Sequence, residues 1–120
     1  MAGTLQPLVS SYPGISGSLP VMPFPLYVNH RTITAVEDET VPTNARYVVL
    51  IPDADTWFAG GSAAAVVPSG DVVDGSGSFC VKAGVIPPPF RVQPGQIISG
   101  VSASGTAHVA YLYYGSLGSA

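Results

Sequence analysis

The side chains that could carry out chemistry near neutral pH are few, and two histidines come first among them. His30 and His108 are the only groups whose ordinary pKa lies near neutrality, and a hydrolase would need one of them beside a serine nucleophile. No Gly-x-Ser-x-Gly turn occurs, since the segment Gly14-Ile15-Ser16-Gly17 is one residue short of it. We therefore predict that His108 is a core or interface residue, that His30 is a surface or interface residue, and that the chain is not an enzyme.

Two pairs of aspartates are the candidate metal ligands. Asp53 and Asp55 follow a predicted strand, and Asp71 and Asp74 lie in a loop rich in glycine and serine. Such a loop could hold calcium through its oxygen atoms, but the ligand spacing and terminal glutamate of a calcium-binding helix-loop-helix are absent. Aspartate is a common turn former, and acidic residues confined to turns do not provide the aromatic-lined groove of a glycosidase. We predict turn-forming aspartates, with no metal site and no cofactor.

Cys80 is the only cysteine, which excludes an internal disulfide and a zinc site built from cysteine and histidine. Between Phe79 and Val81 it is predicted to be a small buried apolar residue. The absence of disulfides fits assembly in a reducing cytoplasm.

Charge is scarce in this chain of 120 residues, in which 4 basic and 7 acidic side chains give a net charge of −3 and 47% of the residues are apolar. The length predicts a single domain. Four scattered cations cannot form the basic stripe that binds a phosphate backbone, so we expect no nucleic-acid partner.

Apolar runs fall short of the roughly 20 residues of a membrane-spanning helix, so we expect no membrane partner and no secretory signal. Weakly charged faces favour permanent contact between subunits.

The distribution of apolar residues predicts an all-β fold. From Arg31 onward, short β-rich runs alternate with Pro and Gly turns every eight to ten residues, which is typical of a small antiparallel β-sandwich or jelly roll. We count about eight strands, predicted at Arg31–Val36, Ala45–Ile51, Thr56–Ala59, Ala63–Val67, Phe79–Lys82, Phe90–Val92, Gln96–Ser102 and Thr106–Tyr114.

Several local features follow from the same pattern. The strand Ala45–Ile51 is apolar on both faces and should be central, whereas Glu37-Asp38-Glu39 is predicted as an acidic turn. The dipeptide Pro94-Gly95 matches a type II turn. The last two strands are predicted to form a hairpin across Ser104-Gly105. Trp57 and Phe58 are adjacent in a strand, so one should enter the core while the other is available to a partner.

Residues 1–30 differ from residues 31–120, which form the predicted sandwich domain. Five prolines punctuate residues 1–30, yet the same stretch holds more than ten large apolar side chains. That is too much apolar surface for a solvated tail, so we predict an extended arm that lies along a surface of its own chain or of a neighbour. Aromatic and large apolar residues are common at interface hot spots. The predicted partner-binding residues are Leu5, Leu8, Tyr12, Phe24 and Tyr27 in the arm, and Trp57 and Tyr113 in the sandwich.

Four segments carry a resemblance to a known class of proteins. They are Asn44-Ala45-Arg46-Tyr47-Val48, then Trp57-Phe58, then the run from Phe90 to Ile98 with its Pro-Gly turn, and the Ser-Ala-Ser-Gly-Thr-Ala-His-Val run that begins at Ser102. Over residues 31–114 the chain resembles the small β-sandwich head decoration or cement proteins of tailed bacteriophages. The resemblance implies a structural virion component and offers no catalytic residues to carry over.

This resemblance leads to a functional expectation. We expect a protein of the capsid surface, assembled in the host cytoplasm, that bridges major capsid subunits and forms a homodimer or homotrimer. A tail or head–tail connector subunit is the alternative within the same class. A carbohydrate-binding sandwich is the alternative from another class, and it would use Trp57 as a stacking platform and calcium in the Asp71–Asp74 loop.

Overall fold

The computed structural model describes residue 5 and residues 7–12, 19–21, 24–60 and 63–119, with the backbone alone described in 7–12, 19–21 and 116–119. The described residues include eleven strands, and none of them belongs to a helix that is long and apolar enough to span a membrane. The strands are β1 Pro7–Tyr12, β2 Leu19–Val21, β3 Val28–Ile33, β4 Glu37–Thr40, β5 Tyr47–Pro52, β6 Thr56–Ala59, β7 Phe79–Val81, β8 Phe90–Arg91, β9 Ile97–Ser102, β10 Ala107–Tyr114 and β11 Ser116–Ser119.

Eight of these strands form two antiparallel four-stranded sheets that pack face to face. Sheet 1 has the order β3-β10-β5-β8, and sheet 2 has the order β4-β9-β6-β7. The chain passes from one sheet to the other at almost every connection, so that sequential strands face each other more often than they pair. Eight strands wound in this way into two sheets form a jelly roll. The predicted all-β antiparallel sandwich is therefore confirmed.

The core lies between the two sheets and is built from alternate residues of each strand. In β5, Val48 and Leu50 face inward, while Val49 faces outward and joins a second buried cluster with Leu112 and Tyr114 on the outer face of sheet 1. Both faces of β5 are thus buried, as the sequence predicts for a central strand, and β5 lies between β10 and β8. Phe58 is fully buried on the inner face of sheet 2.

The segment predicted as an extended arm is extended where the structure describes it. β1 pairs with β2 in antiparallel orientation and with β11 in parallel orientation, which makes a third, three-stranded sheet. Pro7 is the first residue of β1 and Pro20 lies in the edge strand β2, and both positions tolerate the missing N–H of proline. The first strand of the jelly roll begins at Val28, three residues before the predicted boundary at residue 31.

The predicted acidic turn at Glu37–Glu39 is wrong, because these residues form strand β4 with Thr40. The alternation of a strand turns Glu39 into the core, where it is buried, and turns Asp38 and Thr40 to solvent. The physical reason is that Glu39 finds hydrogen-bond donors inside the sandwich, as described below.

The predicted hairpin of the last two strands is also wrong. β9 belongs to sheet 2 and β10 to sheet 1, so the connection through Ser104-Gly105 crosses from one sheet to the other. This connection is held by the backbone of the β5–β6 loop, since the Ala103 N–H donates to the Asp55 carbonyl oxygen at 3.1 Å. An apolar alternation predicts strands, but it does not tell whether two successive strands pair or face each other.

The predicted edge strand at Ala63–Val67 is not a strand. This irregular segment covers part of the outer face of sheet 2, where the Ala65 N–H donates to the Ser99 hydroxyl at 2.9 Å. Ala65 and Ser99 are both buried as a result. The valines at its end, Val66 and Val67, remain exposed.

Gly100 is where the two sheets approach closely, and it provides a test of the packing. A Cβ atom added at Gly100 would lie 3.0 Å from Ile33 Cδ1 and 3.2 Å from Phe58 Cε1. We expect Gly100→Ala to lower the free energy of unfolding by about 1–3 kcal/mol, because the core must shift to admit the methyl group. Urea unfolding measures the change. Gly70→Ala, in a loop where an added Cβ meets nothing within 4 Å, should change it by less than about 0.5 kcal/mol, and equal effects at both positions would contradict the packing described.

Candidate functional site

The most polar point of the interior is a cluster around the carboxylate of Glu39, which is 2% exposed. Arg31 Nε donates to Oε1 at 2.6 Å, and Oε2 accepts hydrogen bonds from Asn29 Nδ2 at 2.7 Å and from the Tyr113 hydroxyl at 2.8 Å. These four residues are called the Glu39 cluster below. Both carboxylate oxygens are engaged, so the group is not available as a general base or a metal ligand.

The positions of the strands explain why this cluster forms. β3 and β4 are the edge strands of the two sheets on the same side of the jelly roll, and each turns alternate side chains inward. Asn29 and Arg31 are two residues apart on β3 and therefore share its inner face, opposite Glu39 on β4. A buried charge is costly unless it is paired and hydrogen-bonded. The Glu39 cluster therefore joins the two sheets along the side formed by β3 and β4.

Three tyrosines of β10 are also buried, and burial changes their acidity. Burial raises the pKa of Tyr111, Tyr113 and Tyr114, and the hydrogen bond to Glu39 raises that of Tyr113 further. These phenols therefore stay protonated well above neutrality and cannot exchange protons with a substrate there. The hydroxyl of Tyr111 is buried and has no hydrogen-bond partner within the part of the chain that the structure describes.

His108 and Asp53 form a surface pair at one end of sheet 1. His108 Nδ1 lies 2.9 Å from Asp53 Oδ2, and the His108 N–H donates to Asp53 Oδ1 at 2.7 Å. These hydrogen bonds, the backbone one first, lower the pKa of Asp53. Both side chains are exposed, so the core position offered for His108 is wrong. Among the described residues no hydroxyl or thiol contacts the second ring nitrogen of His108, so the pair does not extend to a catalytic triad. His30 is exposed, as predicted for a surface residue.

Asp74 and Asp55 accept hydrogen bonds from loop residues and so stabilise the loop conformations. Asp74 Oδ1 accepts hydrogen bonds from the Ser76 N–H at 3.0 Å and the Ser76 hydroxyl at 2.6 Å, which lower the pKa of Asp74. Asp55 Oδ1 accepts a hydrogen bond from the Ala83 N–H at 2.9 Å. The prediction that Asp74 forms a turn is thus confirmed. Over the described residues, no three His, Cys, Asp or Glu side chains come together as metal ligands would.

The predicted partner-binding residues of the arm lie in different environments. Leu5 and Tyr27 are partly buried against the core of their own chain, and the Tyr27 ring meets that of Tyr113 edge to face at 5.9 Å between centroids. Phe24, in contrast, is 83% exposed. Leu8 and Tyr12 lie in β1, and their side chains are outside the described part of the structure.

The two predicted partner-binding residues of the sandwich also differ. Tyr113 is fully buried in the core and has no surface to offer to a partner in this structure. Trp57 is half-buried on the outer face of sheet 2, beside Cys80 and Val101 on the neighbouring strands, while Phe58 enters the core. The opposite facing of Trp57 and Phe58 is therefore confirmed. Cys80 is half-buried and free, where the sequence predicts full burial.

The loop that holds Asp71 and Asp74 exposes apolar side chains, which the sequence did not single out. The Val66 N–H donates to the Ser78 hydroxyl at 3.0 Å, which closes residues 66–78 into a loop whose two ends lie together. This segment is called the apolar loop below, and Val73 on it is 94% exposed. Exposed apolar residues also occur beyond β7, at Val85 and Ile86. The Val-Val pairs of this region resemble strand residues in sequence, and only their positions outside the sheets identify them as surface.

A cavity of about 170 Å³ opens on the side of the jelly roll opposite the Glu39 cluster. It lies between β5 and β8 of sheet 1 and β6, β7 and β9 of sheet 2, at the edge where both sheets end. Phe58, Phe79 and Phe90 line it, and the Phe79 and Phe90 ring centroids are 5.3 Å apart. Gln96 and Arg91 also border it, but the Arg91 guanidinium lies over the Tyr47 ring, 5.6 Å from the centroid, on the outer face of sheet 1.

The chain matches no protein-family model, and comparisons with curated proteins and with solved structures find no significant match.

The Glu39 cluster makes a prediction about stability. Glu39→Ala should lower the free energy of unfolding by about 1–3 kcal/mol, because it removes the acceptor of the buried Tyr113 hydroxyl, whereas the Arg31 side chain is 37% exposed and stays hydrated. Tyr113→Phe, which removes one hydrogen bond to a charged group, should cost about 1.5–3 kcal/mol. Both are measured by urea unfolding, with Asp38→Ala as the control, since Asp38 is the exposed neighbour on the same strand and its loss should change stability by less than about 0.5 kcal/mol. An effect of Glu39→Ala no larger than that of Asp38→Ala would contradict the cluster's role.

The buried tyrosines make a prediction about alkaline pH. Their phenols stay protonated in the folded chain but ionise near pH 10 in the unfolded chain. Above about pH 10 the unfolded state therefore binds fewer protons, and stability should fall as the pH rises. The part of the tyrosinate absorbance that belongs to Tyr111, Tyr113 and Tyr114, three of the six tyrosines, should appear only as the far-UV circular dichroism of the fold is lost. In urea all tyrosines should ionise near pH 10. A full tyrosinate signal from a chain that is still folded at that pH would refute the prediction.

Proposed function

We propose that this chain is a non-enzymatic structural protein of a tailed-bacteriophage virion, which binds the outside of the head and bridges major capsid subunits. The resemblance of residues 31–114 to head decoration proteins supports the proposal. The jelly roll is compatible with it, since double-sheet jelly rolls occur in viral capsid proteins as well as in lectins and cupins. A fold does not decide function, whereas the exposed side chains determine which partners the chain can bind.

The observation that carries the proposal is the exposed apolar surface at the two ends of β7. The apolar loop precedes β7, and Val85 and Ile86 follow it, so both lie at the same edge strand of sheet 2. Contiguous exposed apolar patches mark interaction sites, and long loops that are closed by their own hydrogen bonds are frequently functional. Few charges would have to be desolvated at such a contact, because the apolar loop contains only Asp71 and Asp74 as charged residues.

The other function classes receive less support from the described residues. The His108–Asp53 pair lacks a nucleophile, and the Glu39 carboxylate is saturated, so no reacting group is assembled. Asp74 already accepts two hydrogen bonds from Ser76, and Trp57 is only partly exposed for stacking on a sugar. These features agree better with a non-catalytic binding protein than with an enzyme.

The proposal is tested by sedimentation with phage particles. The purified chain is mixed separately with empty heads and with isolated tails of the phage that encodes it, and the bound fraction is measured across a range of concentrations. We expect saturable binding to heads at a fixed ratio to major capsid subunits. The double variant Val72→Ser/Val73→Ser should bind at least about 10-fold more weakly, because interface energy is concentrated in a few apolar contacts.

Val36→Ser is the matched control, because Val36 is an exposed valine in the β3–β4 connection at the opposite edge of the jelly roll. It should bind heads like the unmodified chain. Binding to tails and not to heads would favour the connector or tail alternative. Binding to neither would overturn the proposal, and binding to heads that the double variant retains would remove the apolar loop from it.

A further inference from the structure

We propose that the cavity at the β7–β8 edge is a binding site for a small neutral molecule that consists of one aromatic ring and an oxygen acceptor. The inference is separate from the proposed contact with a phage head, because it concerns the space between the two sheets and not the apolar loop. It is tested without phage particles, so either proposal can fail while the other stands.

The cavity has the volume of a single ring. It measures about 170 Å³, and an engineered apolar cavity of about 150 Å³ in another protein stays dry and binds benzene. Pockets for larger ligands measure roughly 300–1,000 Å³. Val48, Leu50 and Ile98 of the core line the inner part of the cavity, so a ring that enters leaves water for an apolar environment.

Three phenylalanines in the lining favour an aromatic guest. The ring centroids of Phe79 and Phe90 are 5.3 Å apart, those of Phe58 and Phe79 are 6.2 Å apart, and both pairs are tilted. Aromatic rings attract one another in such arrangements at separations of about 4.5–7 Å, beyond the effect of buried area alone. Phe79 is 44% exposed, so a bound ring would also remove part of its surface from water.

Gln96 supplies one hydrogen-bond donor in a fixed orientation. Gln96 and Ile98, two residues apart at the start of β9, both line the cavity, and Gln96 Nε2 lies 3.2 Å from the position of a Cβ atom added at Gly60. The Gln93 N–H donates to Gln96 Oε1 at 3.0 Å, which fixes the amide with its oxygen toward Gln93. Nε2 donates no hydrogen bond to any residue that the structure describes, so it is available to an oxygen of the ligand.

The charges around the cavity indicate a neutral ligand. Among the described residues Arg91 is the one charged residue that borders the cavity, and its guanidinium lies over the Tyr47 ring on the outer face of sheet 1. An ionised ligand would lose hydration without gaining a partner of opposite charge. A carbonyl oxygen needs only one donor, which Gln96 provides.

Three fluorinated probes test the site by fluorine NMR titration of the full chain. Fluorobenzene carries only the ring, para-fluoroacetophenone adds a neutral acceptor, and para-fluorobenzoate carries a charged one. We expect the ketone to bind the unmodified chain saturably at one site, and the carboxylate to bind at least about 10-fold more weakly. Val92→Phe places a ring in the cavity, which Val92 lines, and should weaken ketone binding at least about 10-fold.

Gln96→Glu tests the donor with little change in shape. Glutamate keeps an oxygen acceptor for the Gln93 N–H but has no N–H of its own. The affinity for the ketone should fall about 2- to 10-fold, which corresponds to one hydrogen bond, while the affinity for fluorobenzene should stay nearly unchanged. Urea unfolding of both variants verifies that they are folded.

The unmodified chain gives a decision that needs no variant. If it shows no saturable binding of the ketone, or binds the carboxylate as tightly as the ketone, the proposal is overturned. Ketone binding that Val92→Phe retains would place the molecule outside the cavity and so contradict the proposal. A Gln96→Glu variant that weakens both neutral probes equally, or neither of them, would contradict the role of the amide.

Discussion

One buried carboxylate determines how the two sheets meet along one side of this molecule. Glu39 enters the core from β4, and an unpaired charge there would be strongly destabilising. Its partners come from β3 and β10 of the opposite sheet, so the hydrogen bonds of a single side chain hold edge strands of both sheets together. A buried polar group that is fully satisfied also fixes the register of the strands that supply its partners, because a shift of one residue would turn those partners to solvent.

Among the described residues, the opposite side of the jelly roll has no such cluster, and the lining of its cavity is mainly apolar. There the edge strands β7 and β8 are only three and two residues long, and between them three phenylalanines surround the cavity. Short edge strands leave little backbone unpaired, which limits strand-to-strand association. Side chains are then the means of contact at this edge, and they are aromatic and aliphatic. The two sides thus differ in role: polar pairing closes the β3–β4 side, and the apolar β7–β8 side remains available to a partner.

The sequence predicts those parts of the fold that depend on local pattern. The two-faced apolar run that ends at Ile51 predicts the central strand β5, and the Pro94-Gly95 dipeptide predicts a turn in which Gly95 has a φ of 80° and the Gln96 N–H bonds to the Gln93 carbonyl. Glu39 could not be placed in the same way, because its partners lie 8, 10 and 74 residues away in sequence. Three consecutive acidic residues are typical of an exposed turn, and only the hydrogen-bond donors on β3 and β10 explain why Glu39 is buried in a strand.

The exposure of the valines before β7 also depends on contacts with residues that are distant in sequence. Valine favours strands because of its β-branched side chain, so the sequence alone assigns Val66 and Val67 to an edge strand. Their exposure follows from the Ala65–Ser99 and Val66–Ser78 hydrogen bonds, which hold the segment outside the sheets. The contact made by a pair of valines is individually weak. Repetition in a shell raises the effective concentration of each contact, and stabilisation of an assembly then follows by mass action. A surface with few charges and small apolar contacts is thus better suited to a protein that acts in many copies than to one that must bind a single partner tightly.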